Sequence, residues 1–293
     1  MTEGHPVVYA ANAWERVVES LERADSLDPV ADRVHELVAQ AIPNGAFKDL
    51  LSGTWLGHPA HPMLTDLPIG CWTSAFVLDF VGGRRSRHAA ELLIGLGVVT
   101  ALPTAATGAS DWSDTWGASR RVGLVHAAAN ASALVLYACS WRARRKNHYA
   151  RGVALGILGA TAATIGGFLG GHLLARRGIG VDHAAHNPML SEWTTALPAH
   201  EVSTVPTRVE VAGVPIVLIK RGDDMFAIAA TCPHRGAPLD EGTFDDHSVT
   251  CPWHGSRFAL DTGELLRGPS AMPVSCYETR VTNGMVEVRS SSP

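Results

Sequence analysis

The spacing of apolar and polar residues divides the chain into three regimes. Between residues 12 and 42 apolar positions recur at helical intervals. Val17, Val18 and Leu21 share one face of a first helix over 12–24, and Val30, Val34, Leu37, Val38 and Ile42 line a second over 27–41. Both runs stop at Pro43-Asn-Gly45, a combination that breaks helices. The pattern predicts an amphipathic helical N-terminal segment, 1–57, that lies on a membrane surface or covers another domain. Periodicity then gives way to four apolar stretches, 63–82, 89–109, 122–141 and 152–175. Each is close to the roughly 20 residues that cross a bilayer. Residues 58–177 therefore read as a four-span transmembrane helical domain, the other reading being a soluble bundle of unusually apolar helices. In the fourth stretch Gly152/Gly156, Gly166/Gly170 and Gly167/Gly171 stand four apart. Small residues at that spacing let helices approach closely; the bland alternative is that glycines merely accumulate there. A linker, 178–191, leads into short runs of strand type, Arg208–Val211, Val214–Lys220 and Phe226–Ala229, separated by turns at Ala212-Gly213 and Gly222-Asp-Asp224. Residues 192–293 read as an all-β sandwich or small barrel, and the chain as multidomain.

Composition adds the partner class. At 293 residues the chain holds about two domains. Residues 58–191 carry six acidic against twelve basic side chains, whereas both flanks are acidic. The basic middle is also the apolar middle, so a lipid bilayer is implied rather than nucleic acid. No apolar signal-peptide core lies in the first sixty residues. The five cysteines form no visible disulfide framework: Cys71 and Cys139 lie in apolar stretches and Cys276 in a strand-like run.

The other two cysteines open the motifs that carry chemistry, Cys232-Pro-His234 and Cys251-Pro-Trp-His254. Each pairs a soft thiolate with an imidazole at loop spacing. Two thiolates can hold one iron of a [2Fe–2S] cluster and two imidazoles the other, an arrangement that raises the potential because neutral ligands replace anionic ones. A four-ligand zinc site is the competing reading, which the one-residue gap between Cys232 and His234 fits poorly. The surrounding residues, Thr231-Cys-Pro-His-Arg-Gly-Ala-Pro-Leu239, Val249-Thr-Cys-Pro-Trp-His-Gly-Ser-Arg-Phe258, Asp261-Thr-Gly263 and Gly268-Pro269, closely resemble the Rieske ferredoxin family over about 192–293. The resemblance implies an all-β Rieske-type [2Fe–2S] domain that transfers single electrons, with Cys232 and Cys251 on one iron and His234 and His254 on the other. It implies that Ser256 bonds a cluster sulfur. Phe258 stands where the high-potential branch has a tyrosine, so one potential-raising hydrogen bond is missing. Ala237 and Trp253 stand where the Rieske subunits of quinol-oxidising complexes carry a bracing cysteine pair. The middle region is similar to an uncharacterised family of small four-helix bacterial membrane domains, through His58-Pro-Ala-His61-Pro-Met-Leu-Thr-Asp66-Leu-Pro-Ile-Gly70.

Histidines gather on one side of the expected bundle. His58, His61 and Asp66 open the first span, His126 lies early in the third and His172 late in the fourth, with His183 and His186 in the linker beyond. Ionisable groups at membrane depth are costly and point to function. His126 and His172, at similar depth, could hold a b-type haem; the same group could bind a quinol, since imidazole titrates near neutrality. A non-haem metal is a third option, and simple capping of helix ends is the bland one. The clusters Arg84–Arg87 and Arg142–Arg151 place their loops in the cytoplasm and the termini outside. Arg144-Arg145 could serve as a twin-arginine export signal, though a poor match. The missing brace and missing leader lean the other way, toward a cytoplasmic Rieske domain. The acidic stretch Asp240, Glu241, Asp245 and Asp246 suits a basic partner or a solvated loop. The expectation is a multi-pass membrane-anchored carrier between a redox protein or quinol donor and an acceptor. A redox sensor, or an electron-supplying component of an oxygenase system, is the alternative. A terminal oxygenase would need a further mononuclear iron domain, for which about forty residues after the second motif leave no room.

Overall fold

The computed structural model describes residues 6–291, with side chains from Trp14 onward. The first five residues of the N-terminal segment lie outside the described residues. Seven helices, α1 (Pro6–Glu22), α2 (Asp28–Ala41), α3 (Ala46–Ser52), α4 (Ala60–Val81), α5 (Arg87–Ser113), α6 (Gly117–Arg145) and α7 (Tyr149–Ala175), precede ten strands. Two compact units form. One joins residues 1–42 to 60–179; the other joins residues 43–59 to 180–293. The expected N-terminal segment is thus divided between them.

In the helical unit α4 through α7 are each long and apolar enough to cross a membrane. Its centre is aromatic. Trp72 stacks on Tyr137 with ring centroids 4.0 Å apart, among Ala75, Ala90, Ile94 and Ala133. Glycine makes the room for this packing. A Cβ at Gly159 would lie 3.1 Å from the Tyr137 ring, and one at Gly95 would lie 2.7 Å from Trp141. The glycine row of α7 resolves in the same way. Gly152, Gly156, Gly166 and Gly170 all face α6 side chains, whereas Gly167 and Gly171 look onto open space. Two of the three spaced pairs therefore serve close packing and the third does not.

A buried ion pair lies in this unit. Asp79, near the end of α4, takes both arms of Arg144 at 2.7 and 2.5 Å, with the side chains 6% and 1% exposed. The Tyr149 hydroxyl donates to the same carboxylate, and Arg144 Nε donates to Ser140 Oγ at 3.2 Å. Arg144 is therefore an internal partner of Asp79, not a loop charge free to act as an export signal. The Asp79 carboxylate, costly at membrane depth, is satisfied by it.

Helices α1 and α2 cover one end of this bundle through ion pairs. Arg121 holds Asp28 and Asp25, both at 2.6 Å, and donates to the Glu22 carbonyl at 2.7 Å. Arg120 reaches Asp32 at 2.8 Å, and His35 Nε2 contacts the Ser113 carbonyl at 2.8 Å. Val18 is buried as its helical spacing predicts, but Val30 and Leu37 of α2 stay exposed. Charged contacts rather than its apolar face hold α2 down.

The second unit is all-β apart from its short helical segments. Strands β1 (Thr194–Pro198), β10 (Met285–Ser290), β9 (Cys276–Thr282), β4 (Asp224–Ala229), β3 (Val214–Arg221) and β2 (Thr207–Val211) form a six-stranded sheet in that order, every neighbour antiparallel. Strands β5 (Thr243–Phe244), β6 (Ser248–Thr250), β7 (Arg257–Ala259) and β8 (Leu265–Arg267) form a second. The unbroken run Ile216-Val-Leu-Ile219 has no alternation because every one of its side chains is buried. Its core continues through Ile228, Leu239, Phe258 and Val286.

Candidate metal centre

Two loops of the β unit carry the four candidate ligands, and they are built alike. One follows β4 and the other follows β6. In the first, Cys232 N–H donates to the Ala237 carbonyl at 2.8 Å and Gly236 N–H returns to the Cys232 carbonyl at 2.9 Å. In the second, Cys251 N–H donates to the Ser256 carbonyl at 2.8 Å and Gly255 N–H returns to the Cys251 carbonyl at 3.2 Å. Gly236 and Gly255 take φ of +78° and +79°, a region that favours glycine. This is why each motif needs its glycine four residues after the cysteine. The imidazole, however, stands two residues after Cys232 and three after Cys251.

The loops bring two sulfurs and two imidazoles to one place. Cys232 and Cys251 are 1% and 3% exposed. Their side chains are hydrogen-bonded to each other, which pushes the Cys232 thiol up and lowers Cys251 to about 7. The backbone N–H groups of Trp253, His254 and Gly255 aim at the Cys251 sulfur, and those of His234 and Arg235 at Cys232. Such amides solvate anionic sulfur, so the pocket is shaped for thiolates rather than thiols. The His234 and His254 rings lie 4.9 Å apart, nearly perpendicular. Burial, reinforced by His254, Arg235, Lys48 and His183, keeps His234 far below its ordinary protonation range. It is held in the neutral form that binds metal. Two thiolates and two neutral imidazoles fit a [2Fe–2S] centre of mixed ligation.

The supporting residues fall into place around this set. Ser256 is fully buried, and its Oγ accepts the Ser270 N–H at 2.9 Å, which leaves its own proton for another acceptor. Phe258 is fully buried in the core, while Trp253 is 47% exposed with its ring 6.4 Å from His254. Of two further contributors, His183 was placed by the sequence reading with the histidine face and Lys48 was not singled out at all. His183 N–H donates to the Pro233 carbonyl at 3.0 Å, and Lys48, on α3, is 3% exposed and close enough for its charge to act on His234. No periodicity or motif marks either.

The histidine face is only partly assembled. His61 and His126 meet within the helical unit, ring centroids 6.5 Å apart. His61 Nδ1 donates to the Thr104 carbonyl at 2.9 Å, and His126 Nδ1 to the Gly166 carbonyl at 2.8 Å. His172 turns away to Glu22 at 3.0 Å, so the expected His126–His172 pair is not brought together. His58 is exposed and belongs to the other unit, and Asp66 is exposed on α4. On this histidine face the described residues offer no cluster of three or more His, Cys, Asp or Glu side chains disposed to hold a metal ion.

Comparison with known proteins bears on both units. Residues 192–278 match the Rieske [2Fe-2S] domain family, and residues 57–183 match a family described as predicted membrane protein (DUF2231). The anthranilate 1,2-dioxygenase ferredoxin subunit of Burkholderia cepacia is 35% identical over 100 residues, 34% of this chain and 93% of that protein. Ferredoxin CarAc of Metapseudomonas resinovorans is 36% identical over 78 residues, 27% of this chain and 73% of that one. Human apoptosis-inducing factor 3 is 34% identical over 83 residues, and the chain spans only 14% of its length.

Proposed function

The chain belongs to the Rieske [2Fe–2S] family through residues 192–278, and on that footing we propose that it is a membrane-anchored carrier of single electrons. The observation that carries the reading is the pair of like-built loops, which present two sulfurs and two neutral imidazoles inside a ring of sulfur-directed amides. Cys232 and Cys251 hold one iron and His234 and His254 the other. The cluster supplies a one-electron couple raised in potential by its imidazole ligands. The protein's part is to spread the added negative charge. Amides of the two loops and the Ser256 hydroxyl offer hydrogen bonds to sulfur, and buried Phe258 contributes none. The relatives named as ferredoxin subunits of a dioxygenase support a soluble redox protein as partner.

Four apolar helices fit a multi-pass membrane protein. The anchored reading is tested by fractionation. After carbonate washing, the reduced Rieske signal should stay with the membrane pellet; a signal that follows the soluble fraction contradicts the anchor. An even number of spans also puts the α5–α6 loop and the C-terminus on one side. Tags at residues 114–117 and at the C-terminus should show equal accessibility.

A second reading is favoured by the His61–His126 pair. A carbonyl can only accept, so both rings carry their proton on Nδ1; the Nε2 lone pair is thereby offered outward, with the Asn130 amide 3.4 Å from that of His126. That is the tautomer an axial haem ligand or a quinol hydroxyl needs. If the pair binds haem b, reduction gives a sharp b-type band that His61→Ala or His126→Ala removes while the cluster signal remains. If it binds quinol, no band appears and either change slows cluster reduction by a quinol analogue at least tenfold. His172→Ala leaves both readouts unchanged. No band, together with no change in quinol-driven reduction, would leave the pair a packing feature.

A further inference from the structure

Helix α3 is inside out. It buries Lys48 and Ser52, four residues apart and so on one face, while Phe47 and Leu50 are 56% and 55% exposed. A short helix docked by its polar face has no hydrophobic reason to sit where it does. What it docks on is the cluster-bearing part of its own unit. Gly45, Ala46 and Asp49 face Thr250, Gly255, Arg257, Leu266 and Arg267 across a cleft of about 650 Å³. Gly255 directly follows the ligand His254. The Asp49 carboxylate accepts the Gly268 N–H, and Thr54 Oγ1 donates to the Ser270 carbonyl at 3.2 Å. The N–H of that same Ser270 holds Ser256 Oγ. Residues 43–59 are thus tied to the loop that orients the cluster serine, and they carry a lysine that is 3% exposed into the neighbourhood of His234.

Burying an ammonium is costly, so its place in the fold is a feature the structure maintains. A nearby centre that becomes more negative on reduction gives it a purpose. We propose that residues 43–59 form a strap over the cluster end of the β unit, and that the buried Lys48 ammonium they carry there raises the midpoint potential by stabilising the reduced centre. Lys48 is a positioning residue of electrostatic kind, touching no substrate. The inference rests on the electron-carrier reading.

The test is a redox titration of the full-length protein in detergent, followed by its paramagnetic resonance signal, after iron content has established cluster loading. Lys48→Gln should shift the equilibrium about tenfold toward the oxidised form, the size expected of one charge in a partly screened site; for a one-electron couple that is about 59 mV lower. Lys48→Arg should stay within about twofold of the parent. A Gln variant that titrates like the parent, or an Arg variant that falls as far as Gln, overturns the inference while leaving the carrier reading intact. An unmutated protein without cluster overturns the carrier reading itself. A second measurement needs no variant. Linkage is reciprocal, so dithionite reduction should tighten the strap. Amides of residues 46–52 should exchange hydrogen several-fold more slowly in the reduced than in the oxidised protein; equal rates would contradict the proposal.

Discussion

Replacing His254 by alanine abolishes the Rieske signal of the reduced protein and lowers bound iron from about two per chain toward none. The expectation follows from the geometry of the two loops. Four donors converge, two sulfurs from cysteines 1% and 3% exposed and two rings 4.9 Å apart, and no further His, Cys, Asp or Glu cluster among the described residues stands ready to replace a lost one. An iron left with a single protein ligand on a partly accessible loop is open to water and is lost. His234→Cys removes the Rieske signal by another route, since it replaces a neutral imidazole by an anionic thiolate in a buried place and ends the two-imidazole ligation that the signal reports. The helical unit inserts normally in both variants, because its Trp72–Tyr137 core shares nothing with the loops. Iron and sulfide analysis beside membrane fractionation reads both outcomes. A full-strength signal from His254→Ala would mean that the ligand set is wrong.

The second large effect lies in the helical unit. Asp79→Ala strands a buried guanidinium that has both arms on that carboxylate. Removing one partner of a buried pair costs about 3–5 kcal/mol, more than most single substitutions. The Tyr149 hydroxyl loses its acceptor as well. Denaturation of the detergent-solubilised protein, followed by helix signal, should show that loss. The double variant Asp79→Leu/Arg144→Met should recover most of it, because it leaves no buried charge behind. Equal stability of parent and Asp79→Ala would show that water or lipid headgroups solvate Arg144. In every one of these variants the cluster signal should persist.

How much of this was legible in the sequence depends on the range over which each feature is encoded. The cluster loops were, because each is a local device. A cysteine, a histidine two or three residues on and a glycine at positive φ sit within five residues. The four long helices were also legible, since length and apolar content decide them. Strand β3 was read from its apolar run Val214–Lys220, and the burial of Ile216 through Ile219 on both faces accounts for that run. Features closed by distant residues were not legible. Arg144 was read as a loop charge, and its pairing with Asp79 was invisible because it crosses 65 positions. His126 was matched with the wrong partner: depth along a helix is readable, but the rotation that turns His172 to Glu22 and His61 to His126 is set by packing. The N-terminal segment was read as one piece by hydropathy, yet α1 and α2 are held to the helical unit by Arg120, Arg121 and Arg176 while residues 43–59 join the β unit. Amphipathic spacing was met in part by α2, where Val34, Val38 and Ile42 are half-buried but Val30 and Leu37 stay exposed, and it said nothing of α3, which docks by its polar face.

The central claim is the iron–sulfur centre, and metal analysis of the freshly purified full-length chain tests it most directly. Measured together with resonance spectroscopy of the dithionite-reduced protein, it should return about two irons and two acid-labile sulfides per chain and a Rieske-type signal. Stoichiometric zinc in place of iron, with no signal on reduction, would contradict the account.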